Sequence, residues 1–424
     1  MSDAGPVSDA GPVSDAPVFD PLAPGFADDP YAQYTALRDH DPVHRSELLA
    51  GWVVTRFEDV GRLLRDPSIS SDIHNATPNP LTVMELALLD EQPRASRNIV
   101  LMDDPDHARI RALMTEPFRP KAVEQLRARI TERITAAFDA LHARHGADPV
   151  ELDLVADFAY PLPVEIFSEM LGLPEEDGPQ FRHWTSMVAR MVDPVMGAEE
   201  RAECTRALDA MYAYLAAEAD KKRTHPTDDL MSELVHAEID GGRLSEEELI
   251  AQLVTLYMAG HEPTAALIAA GTLALLRQPD ELARLRADRS LLRNALVEFL
   301  RFDGPNHFVR RITTRPTTIG DTELPGGSVI YASPASANRD PRRWGEDADR
   351  IRIDRPDASQ HLQFGAGLHA CLGSHFARLQ AEIAFTAILD RLPAVELAGP
   401  PVWGNRMFIR GLTSLPVTAT ISAG

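Results

Sequence analysis

Cysteine is scarce in this sequence: among 424 residues only Cys204 and Cys371 occur, far apart along the chain. A disulfide framework is therefore excluded, and a cytoplasmic, reducing setting fits best. Long apolar runs are missing as well, because the longest candidate, residues 265–276, falls short of the ~20 residues that a helix needs to span a bilayer. We therefore expect no membrane segment.

Basic residues are outnumbered by acidic ones. Lys and Arg total 42 against 64 Asp and Glu, which gives a formal net charge of −22. A surface this acidic repels phosphate backbones and anionic lipids, so we expect neither nucleic acid nor a membrane as a partner. The 44% of hydrophobic residues is enough for a large globular core.

The N-terminus has the composition of a tail. The first 30 residues hold six Asp and neither Lys nor Arg, so no signal or transit peptide is expected. The hexapeptide Ser-Asp-Ala-Gly-Pro-Val occupies residues 2–7 and again 8–13. Pro, Gly and Asp at this density bury too little apolar surface to offset the entropy of ordering. We predict a disordered tail over residues 1–20 and one domain over residues 21–424.

Helical patterns dominate that domain. Ser245 and Glu248 form a capping box ahead of a long helix that is predicted to reach Arg277. Further helices are predicted at residues 122–145 and 372–389. Short strands are predicted at residues 52–55, 311–314, 317–319 and 329–331. The expected fold class is mainly α with a small β region.

Residues 364–373, Phe-Gly-Ala-Gly-Leu-His-Ala-Cys-Leu-Gly, are the most informative segment. Its glycines permit positive φ angles and a close approach of the backbone to a ligand. Cys371 lies at the start of a predicted helix, where the helix dipole and free N–H groups stabilise a thiolate. Phe364 is placed to shield the sulfur from water. A thiolate held in this way suits an axial ligand of a haem iron.

Three other interpretations of Cys371 remain open from the residues alone. It fits a buried, inert cysteine. It also fits a zinc ligand together with His361, His369 and His375, although zinc sites favour C-x-x-C spacings and more than one thiolate. A nucleophilic cysteine needs a partnered histidine and an oxyanion hole, which the sequence does not place.

The same loop matches the pattern F-G-x-G-x-H-x-C-x-G at every fixed position, and the chain after its tail resembles the cytochrome P450 superfamily. This resemblance implies a single large, triangular, α-rich haem-thiolate monooxygenase domain over residues 21–424. It implies haem b (iron protoporphyrin IX) as the cofactor and Cys371 as the axial ligand of its iron. Phe364, Gly365 and Gly373 are then cofactor-binding residues of the loop.

A second motif is structural. Glu298 and Arg301 stand at i, i+3 on one face of a predicted helix. Alone, such a pair is common and contributes little. Placed about seventy residues before the cysteine loop, it resembles the family's buried E-x-x-R motif, which Arg355 is expected to complete. The resemblance gives these three residues a scaffolding role.

Residues 102–111 resemble the helix of bacterial members that reads D-P-P-x-H-x-x-x-R. The resemblance implies that His107 and Arg111 bind the haem propionates, since buried carboxylates need charge-assisted partners. Arg311 resembles a third propionate ligand and His369 a fourth. Arg310 adjoins Arg311, so the neighbouring register stays an alternative.

Residues 259–264, Ala-Gly-His-Glu-Pro-Thr, resemble the A-G-x-[DE]-T-T stretch that crosses the haem face and delivers protons to bound oxygen. Glu262 matches the acid and Thr264 the second threonine, but Pro263 replaces the first. Proline lacks an N–H, so the Ala259 carbonyl loses its helical donor. We hypothesise that Pro263 fixes a local widening of the helix and leaves this carbonyl to bind a water; a neutral local kink is the alternative.

The resemblance also implies a pocket and partners. The predicted pocket residues are Leu101, Met258, Ala259, His261, Phe308, Val309, Met407 and Phe408. Electrons are expected from a ferredoxin and its reductase, docking on basic residues near the cysteine loop. The candidates for that patch are Arg109, Arg119, Lys121 and Arg378, with scattered surface charge as the alternative.

The predicted reaction is insertion of one oxygen atom from O2 into a lipophilic small molecule, by hydroxylation or epoxidation, in natural-product biosynthesis. Two alternatives keep the haem. The first is oxidative coupling, cyclisation or peroxide-driven catalysis, which the missing threonine favours. The second is a haem-binding protein without turnover, which Glu262 and the complete cysteine loop disfavour.

Overall fold

The structure is a computed structural model that describes residues 17–192 and 196–424. Helices form most of it. In the described ranges, the α-helices in chain order are α1 (Tyr31–His40), α2 (Phe57–Arg65), α3 (Pro80–Glu91), α4 (Asp106–Thr115), α5 (Pro120–Gln125), α6 (Arg127–His145), α7 (Pro161–Met170), α8 (Gly178–Val188), α9 (Ala198–Thr224), α10 (Leu230–His236), α11 (Glu246–Leu276), α12 (Pro279–Ala287), α13 (Leu292–Asp303), α14 (Pro334–Ala337), α15 (Pro341–Trp344) and α16 (Ser374–Arg391).

The strands are short and lie in four small sheets. They are β1 (Val43–Ser46), β2 (Gly51–Val54), β3 (Ile69–Ser70), β4 (Val150–Asp153), β5 (Val309–Thr313), β6 (Thr317–Ile319), β7 (Thr322–Leu324), β8 (Val329–Ala332), β9 (Ala394–Leu397), β10 (Val402–Trp403), β11 (Leu412–Ser414) and β12 (Pro416–Thr420). A five-stranded sheet has the order β1-β2-β8-β5-β3, with β2 and β8 parallel. Strand β12 pairs antiparallel with β4 and β9, while β6–β7 and β10–β11 are hairpin pairs. The mainly α class with a small β region is confirmed.

Helix α11 is the central element. Ser245 and Glu248 make both bonds of the predicted capping box, with the Ser245 N–H donating to Glu248 Oε2 at 2.9 Å. At ~1.5 Å per residue the 31 residues of α11 span about 47 Å. Most of them are buried, against α7, α9, α13 and α16. Because this helix is apolar on all sides, it stands inside the molecule rather than on its surface.

The sequence located most elements but missed some boundaries. The helix predicted at residues 122–145 is two helices, α5 and α6, which meet at Leu126. The helix predicted from residue 372 begins instead at Ser374. The strands predicted at residues 311–314 and 329–331 span residues 309–313 and 329–332 and are paired antiparallel in the large sheet.

Packing reaches into the segment that the sequence assigns to a disordered tail. Residues 1–16 of that segment lie outside the described residues. Phe19, however, is buried, and its ring packs edge-on against Phe26 and Phe308 at centroid distances of 5.8 and 5.4 Å. The described part of this segment therefore packs against the domain at Phe19.

Candidate cofactor site

The cysteine loop is a tight turn that leads into α16. Residues Gly367–His369 form a 3₁₀ turn, and the Cys371 N–H donates to the Phe364 carbonyl at 2.8 Å. Gly365 and Gly367 have φ angles of +66° and +69°. A Cβ on Gly367 would lie 2.6 Å from the Leu64 carbonyl oxygen. The loop therefore requires glycine at this position on both counts.

The thiol of Cys371 faces open space, whereas the other cysteine, Cys204, is buried. The protein around this space desolvates the sulfur and raises the pKa of the Cys371 thiol above its ordinary value. The Gly373 N–H, Arg111 and Arg378 act in the opposite direction without reversing the shift. Burial of the sulfur therefore opposes the thiolate that the start of α16 is predicted to stabilise. A metal that binds the sulfur would supply the missing stabilisation, because it binds the deprotonated form.

Four basic side chains gather beside this loop. The rings of His107 and His369 lie 4.3 Å apart. Arg111, one turn after His107 on α4, donates from Nη2 to the Ala370 carbonyl at 2.7 Å. Arg311 on β5 is buried and donates from Nη1 to the Arg310 carbonyl at 2.8 Å. The structure thus brings together all four residues that the resemblance assigns to the propionates.

The four basic side chains beside the cysteine loop carry more positive charge than the neighbouring carboxylates compensate. Burial, followed by the charges of Arg311, His107 and Arg111, lowers the pKa of His369 to about 3. Burial lowers the pKa of Arg311 to about 10, with only partial compensation from Asp103. These basic groups disfavour one another's charged forms, so a ligand with two carboxylates would relieve their repulsion.

The register next to Arg311 is settled by its neighbour. Arg310 forms an ion pair with Glu85 of α3. Arg311 is the buried residue of the two, and its charge acts on His369. Arg311 rather than Arg310 therefore belongs to the basic group at the cysteine loop.

Besides the Cys371 thiol, part of the middle of α11 is exposed. Ala259 is exposed and Met258 and Gly260 are partly exposed, although the residues on either side along the helix are largely buried. An exposed methyl group in the centre of a largely buried helix leaves this part of α11 open to a ligand. The open thiol, the small residues of α11 and the four basic side chains fit a flat, apolar cofactor that carries a metal and two carboxylates, as haem does.

Glu262 is buried at 4% exposure and is held by groups from two other segments. Arg406 donates from Nη1 to Glu262 Oε2 at 2.5 Å, and the Tyr160 hydroxyl donates to Oε1 at 3.3 Å. The sequence did not predict either partner, because both belong to irregular segments distant from α11 along the chain. Tyr160 directly follows a π-helical turn at Val155–Ala159, and its N–H donates to the Val155 carbonyl.

Pro263 and Thr264 lie one turn after the exposed part of α11. Helix α11 is α-helical from Glu246 to Leu276, so the widening predicted at Pro263 is not present. The Thr264 hydroxyl donates to the Gly260 carbonyl at 3.1 Å. Since Pro263 has no N–H, the Ala259 carbonyl receives no i+4 donor. This oxygen is on the exposed residue in the middle of α11.

The predicted scaffolding residues form one buried network. Arg301 donates from Nε to Glu298 Oε2 at 2.7 Å and from Nη2 to Oε1 at 2.8 Å. Arg355 donates from Nε to Glu298 Oε1 at 3.1 Å. Arg301 also donates to the carbonyls of Asn338 and Ala348. The network therefore ties α13 to the segment that leads to the cysteine loop.

The predicted pocket residues divide into two groups. Leu101, Met258, Ala259 and Val309 are partly or fully exposed and are available to a ligand. His261 and Phe308, which are also predicted to line the pocket, are buried. His261 is fully buried with its ring edge-on to Tyr160, and Phe308 packs in a core cluster with Phe19. Met407 and Phe408 are nearly buried in that same cluster.

The remaining sequence interpretations can be compared with the geometry. Across residues 17–192 and 196–424, no group of three or more His, Cys, Asp and Glu side chains is arranged as a metal site, so the zinc interpretation finds no support. Of the predicted docking residues, Arg109 is paired with Glu248 and Arg119 with Glu116. Arg378 stacks on Phe364 at 4.8 Å. Within the described part of the chain, no helix has both the length and the apolarity to cross a membrane.

Comparison with known proteins agrees with this geometry. The family model described as Cytochrome P450 matches residues 63–397. Cytochrome P450 monooxygenase PikC of Streptomyces venezuelae is 39% identical over 411 residues, which cover 95% of this chain and 94% of PikC. The vitamin D(3) 25-hydroxylase of Pseudonocardia autotrophica is 37% identical over 93% of this chain and 94% of its own.

A solved structure shows the same fold. The polyketide biosynthesis cytochrome P450 PksS of Bacillus subtilis is 35% identical in sequence, over 95% of this chain and 98% of its own. Its structure superposes with a TM-score of 0.86, at 33% identity, and covers 95% of this chain and all of the PksS chain.

Proposed function

The chain belongs to the cytochrome P450 family, and on that premise we propose that it inserts one oxygen atom from O2 into a lipophilic small molecule in natural-product biosynthesis. The observation that carries this proposal is the exposed Cys371 thiol, which lies in a loop beside the group of four basic side chains. The chain's similarity to PikC, a cytochrome P450 monooxygenase, and to PksS, a polyketide biosynthesis cytochrome P450, supports the reaction and the setting.

The balance of the reaction fixes what the residues must do. A substrate C–H bond, O2, two electrons and two protons become an alcohol and water. When bound, haem b supplies the redox centre that activates O2. The chain must hold this cofactor, admit the substrate, and deliver protons to the cleft in which the cofactor binds while excluding bulk water.

We assign these tasks to named residues. Cys371 ligates the iron as a thiolate, with the Gly373 N–H directed at its sulfur. His107, Arg111, Arg311 and His369 bind the propionates. Ala259 leaves room for O2 beside α11, Glu262 carries protons, and the side chains of Leu101, Met258 and Val309 contact the substrate. Support comes from the open positions of Cys371 and Ala259, from the partly exposed Leu101, Met258 and Val309, and from the shortage of negative charge in the basic group.

Carbon monoxide tests the cysteine assignment. The reduced, haem-loaded protein with bound carbon monoxide should show the Soret position of a thiolate-ligated haem. Cys371→Ser should lose this position. Cys204→Ser, at the buried second cysteine, should keep it. An unchanged spectrum in Cys371→Ser would refute the assignment.

A panel of lipophilic compounds then tests the reaction. A substrate should displace water from the iron and change its spin state, and the product should gain the mass of one oxygen atom. A product that has instead lost two hydrogens would indicate oxidative coupling or ring formation. The absence of NAD(P)H consumption with every donor and compound would indicate haem binding without turnover.

We further propose that a ferredoxin supplies the electrons. Arg119 and Lys121 are exposed near the start of α5, although Arg119 already has Glu116 as a partner. The double variant Arg119→Glu and Lys121→Glu should raise the KM for ferredoxin several-fold, and the effect should shrink as salt rises. Equal KM values at low salt would place the docking surface elsewhere.

A further inference from the structure

The carboxylate of Glu262 is the meeting point of three segments. It projects from the middle of α11 and accepts hydrogen bonds from Tyr160, after the π-helical turn, and from Arg406, in the loop before β11. Arg406 itself is partly exposed, with 19% of its side chain accessible. The contact therefore joins the buried Glu262 carboxylate to Arg406, which reaches the surface. The donors of both hydrogen bonds, Tyr160 and Arg406, come from outside α11.

The charges around Glu262 favour its ionised form. Burial alone would raise the pKa of the carboxyl, but its contacts with His261 and Arg406 outweigh burial and hold the pKa below its ordinary range. Burial and the Glu262 charge raise the pKa of Tyr160, so this phenol remains a donor. Among the described residues, the titratable groups that face the carboxylate are Tyr160, His261 and Arg406.

His261 adds a buried nitrogen directed at the same carboxylate. Its Nδ1 lies 3.1 Å from the Tyr257 carbonyl, which only accepts, so Nδ1 carries a hydrogen. Its Nε2 lies 3.7 Å from Glu262 Oε1 and has no hydrogen-bond partner among the described residues.

We propose that Arg406 is a positioning residue that holds the Glu262 carboxylate ionised at the loop before β11 and so sets the side from which Glu262 takes up protons. This inference rests on the proposed function, in which Glu262 supplies protons to the cleft. It assigns a role to a residue outside α11 that the motif in this helix does not contain.

Each proton transfer on this route is balanced. A hydronium ion at the Arg406 side gives its proton to Oε2, the hydrogen bond from Arg406 is released, and water remains. Glu262 then gives the proton to a water molecule in the cleft, which becomes a hydronium ion, and Glu262 is a carboxylate again. Arg406 keeps its own protons throughout and rebinds the carboxylate.

Infrared spectroscopy of the haem-loaded protein measures the protonation of Glu262 directly. In the wild type, a pH titration should show no protonated-carboxyl band from Glu262 through the ordinary range of glutamate. In Arg406→Met this band should appear within that range, since burial then acts with less opposition. Arg406→Lys should be intermediate. The band should vanish in the double variant that adds Glu262→Gln.

Oxygen reduction provides the functional measurement, with O2 alone as the probe and no substrate. Proton delivery decides how much of the NAD(P)H consumed ends as hydrogen peroxide rather than water. Arg406→Met should raise the peroxide fraction at least two-fold, and Arg406→Lys should restore most of the wild-type value. Imidazole should bind the iron with an affinity within two-fold of the wild type in both variants.

A matched control separates this role from a structural one. Arg391→Met removes another largely buried arginine that pairs with a carboxylate, Asp139, at 2.6 Å. It should change neither the infrared titration nor the peroxide fraction. An Arg406→Met protein without the new band would overturn the inference. A wild type that consumes no NAD(P)H would overturn the proposed function, and the infrared titration would still show whether Arg406 keeps Glu262 ionised.

Discussion

At the scale of single residues, His307 is a buried imidazole that affects the stability of the protein at acid pH. It is 1% exposed, and its Nδ1 lies 2.9 Å from the Tyr34 hydroxyl. Burial and the charge of Arg410 lower its pKa from 6.5 to about 3, against the opposing charge of Asp303. Within the described residues, its Nε2 has no hydrogen-bond partner to stabilise a second proton.

This shift predicts a loss of stability in acid. Between pH 6.5 and 3 the unfolded chain binds a proton at His307 that the native state does not, so the free energy of unfolding falls as pH falls. The slope approaches ~1.4 kcal/mol per pH unit. In His307→Asn, denaturant unfolding should therefore lose about 2 kcal/mol less than the wild type between pH 7 and pH 5. The exposed His225→Asn should follow the wild type; equal losses in both variants would contradict the prediction.

At the scale of elements, Gly260 lets α11 approach α7 closely. A Cβ on Gly260 would lie 2.6 Å from Cε2 of Phe167, whose ring is 1% exposed. Gly260→Ala should therefore lower the free energy of unfolding by about 1–3 kcal/mol through overpacking. Gly178→Ala, in α8, meets only Arg182 at 3.7 Å and should change it by less than about 0.5 kcal/mol. Thermal unfolding of the two variants measures the difference. If Gly260→Ala is as stable as Gly178→Ala, the Phe167 ring moves aside without cost.

Pro263 weakens the same helix one position beyond Glu262. In Pro263→Thr the new N–H can donate to the Ala259 carbonyl, so the free energy of unfolding should rise by about 1–3 kcal/mol. If that free carbonyl serves proton delivery by binding a water, the product formed per NAD(P)H should change as well. Pro279→Thr, in the first turn of α12, should leave the free energy of unfolding unchanged, because a backbone N–H at that position has no carbonyl within the helix to bond. Unchanged coupling in Pro263→Thr would leave Pro263 as a local feature of the helix.

At the scale of the whole molecule, the sequence predicted what depends on local pattern or a complete motif. The cap at Ser245, the strands of the central sheet and the grouping of His107, Arg111 and His369 belong to this class. The contact between Arg406 and Glu262 could not be predicted from the sequence, because the two residues are 144 positions apart and no periodic pattern indicates such a pairing. The burial of His261 and Phe308 likewise depends on which residues of other segments cover them, which the local sequence does not specify.

The network around Glu298 connects distant parts of the fold. Arg301 binds the Asn338 carbonyl at 2.7 Å, and the Asn338 side chain accepts from the Leu362 N–H at 2.8 Å. Leu362 stands two residues before the cysteine loop. A chain of direct hydrogen bonds therefore links the buried ion pair on α13 to the segment that positions Cys371.

Removing the charge of Glu298 should therefore affect both stability and cofactor retention. Glu298→Gln places an amide donor against Arg301 and Arg355 and leaves the buried Arg301 without a carboxylate partner among the described residues, so the free energy of unfolding should fall by about 3–5 kcal/mol. Haem content after gel filtration should fall with it, because the cysteine loop loses its support. Asp390→Asn, at an exposed pair with Arg289, should cost less than about 0.5 kcal/mol and retain haem. Full haem content in a destabilised Glu298→Gln would show that the cysteine loop is held independently of α13.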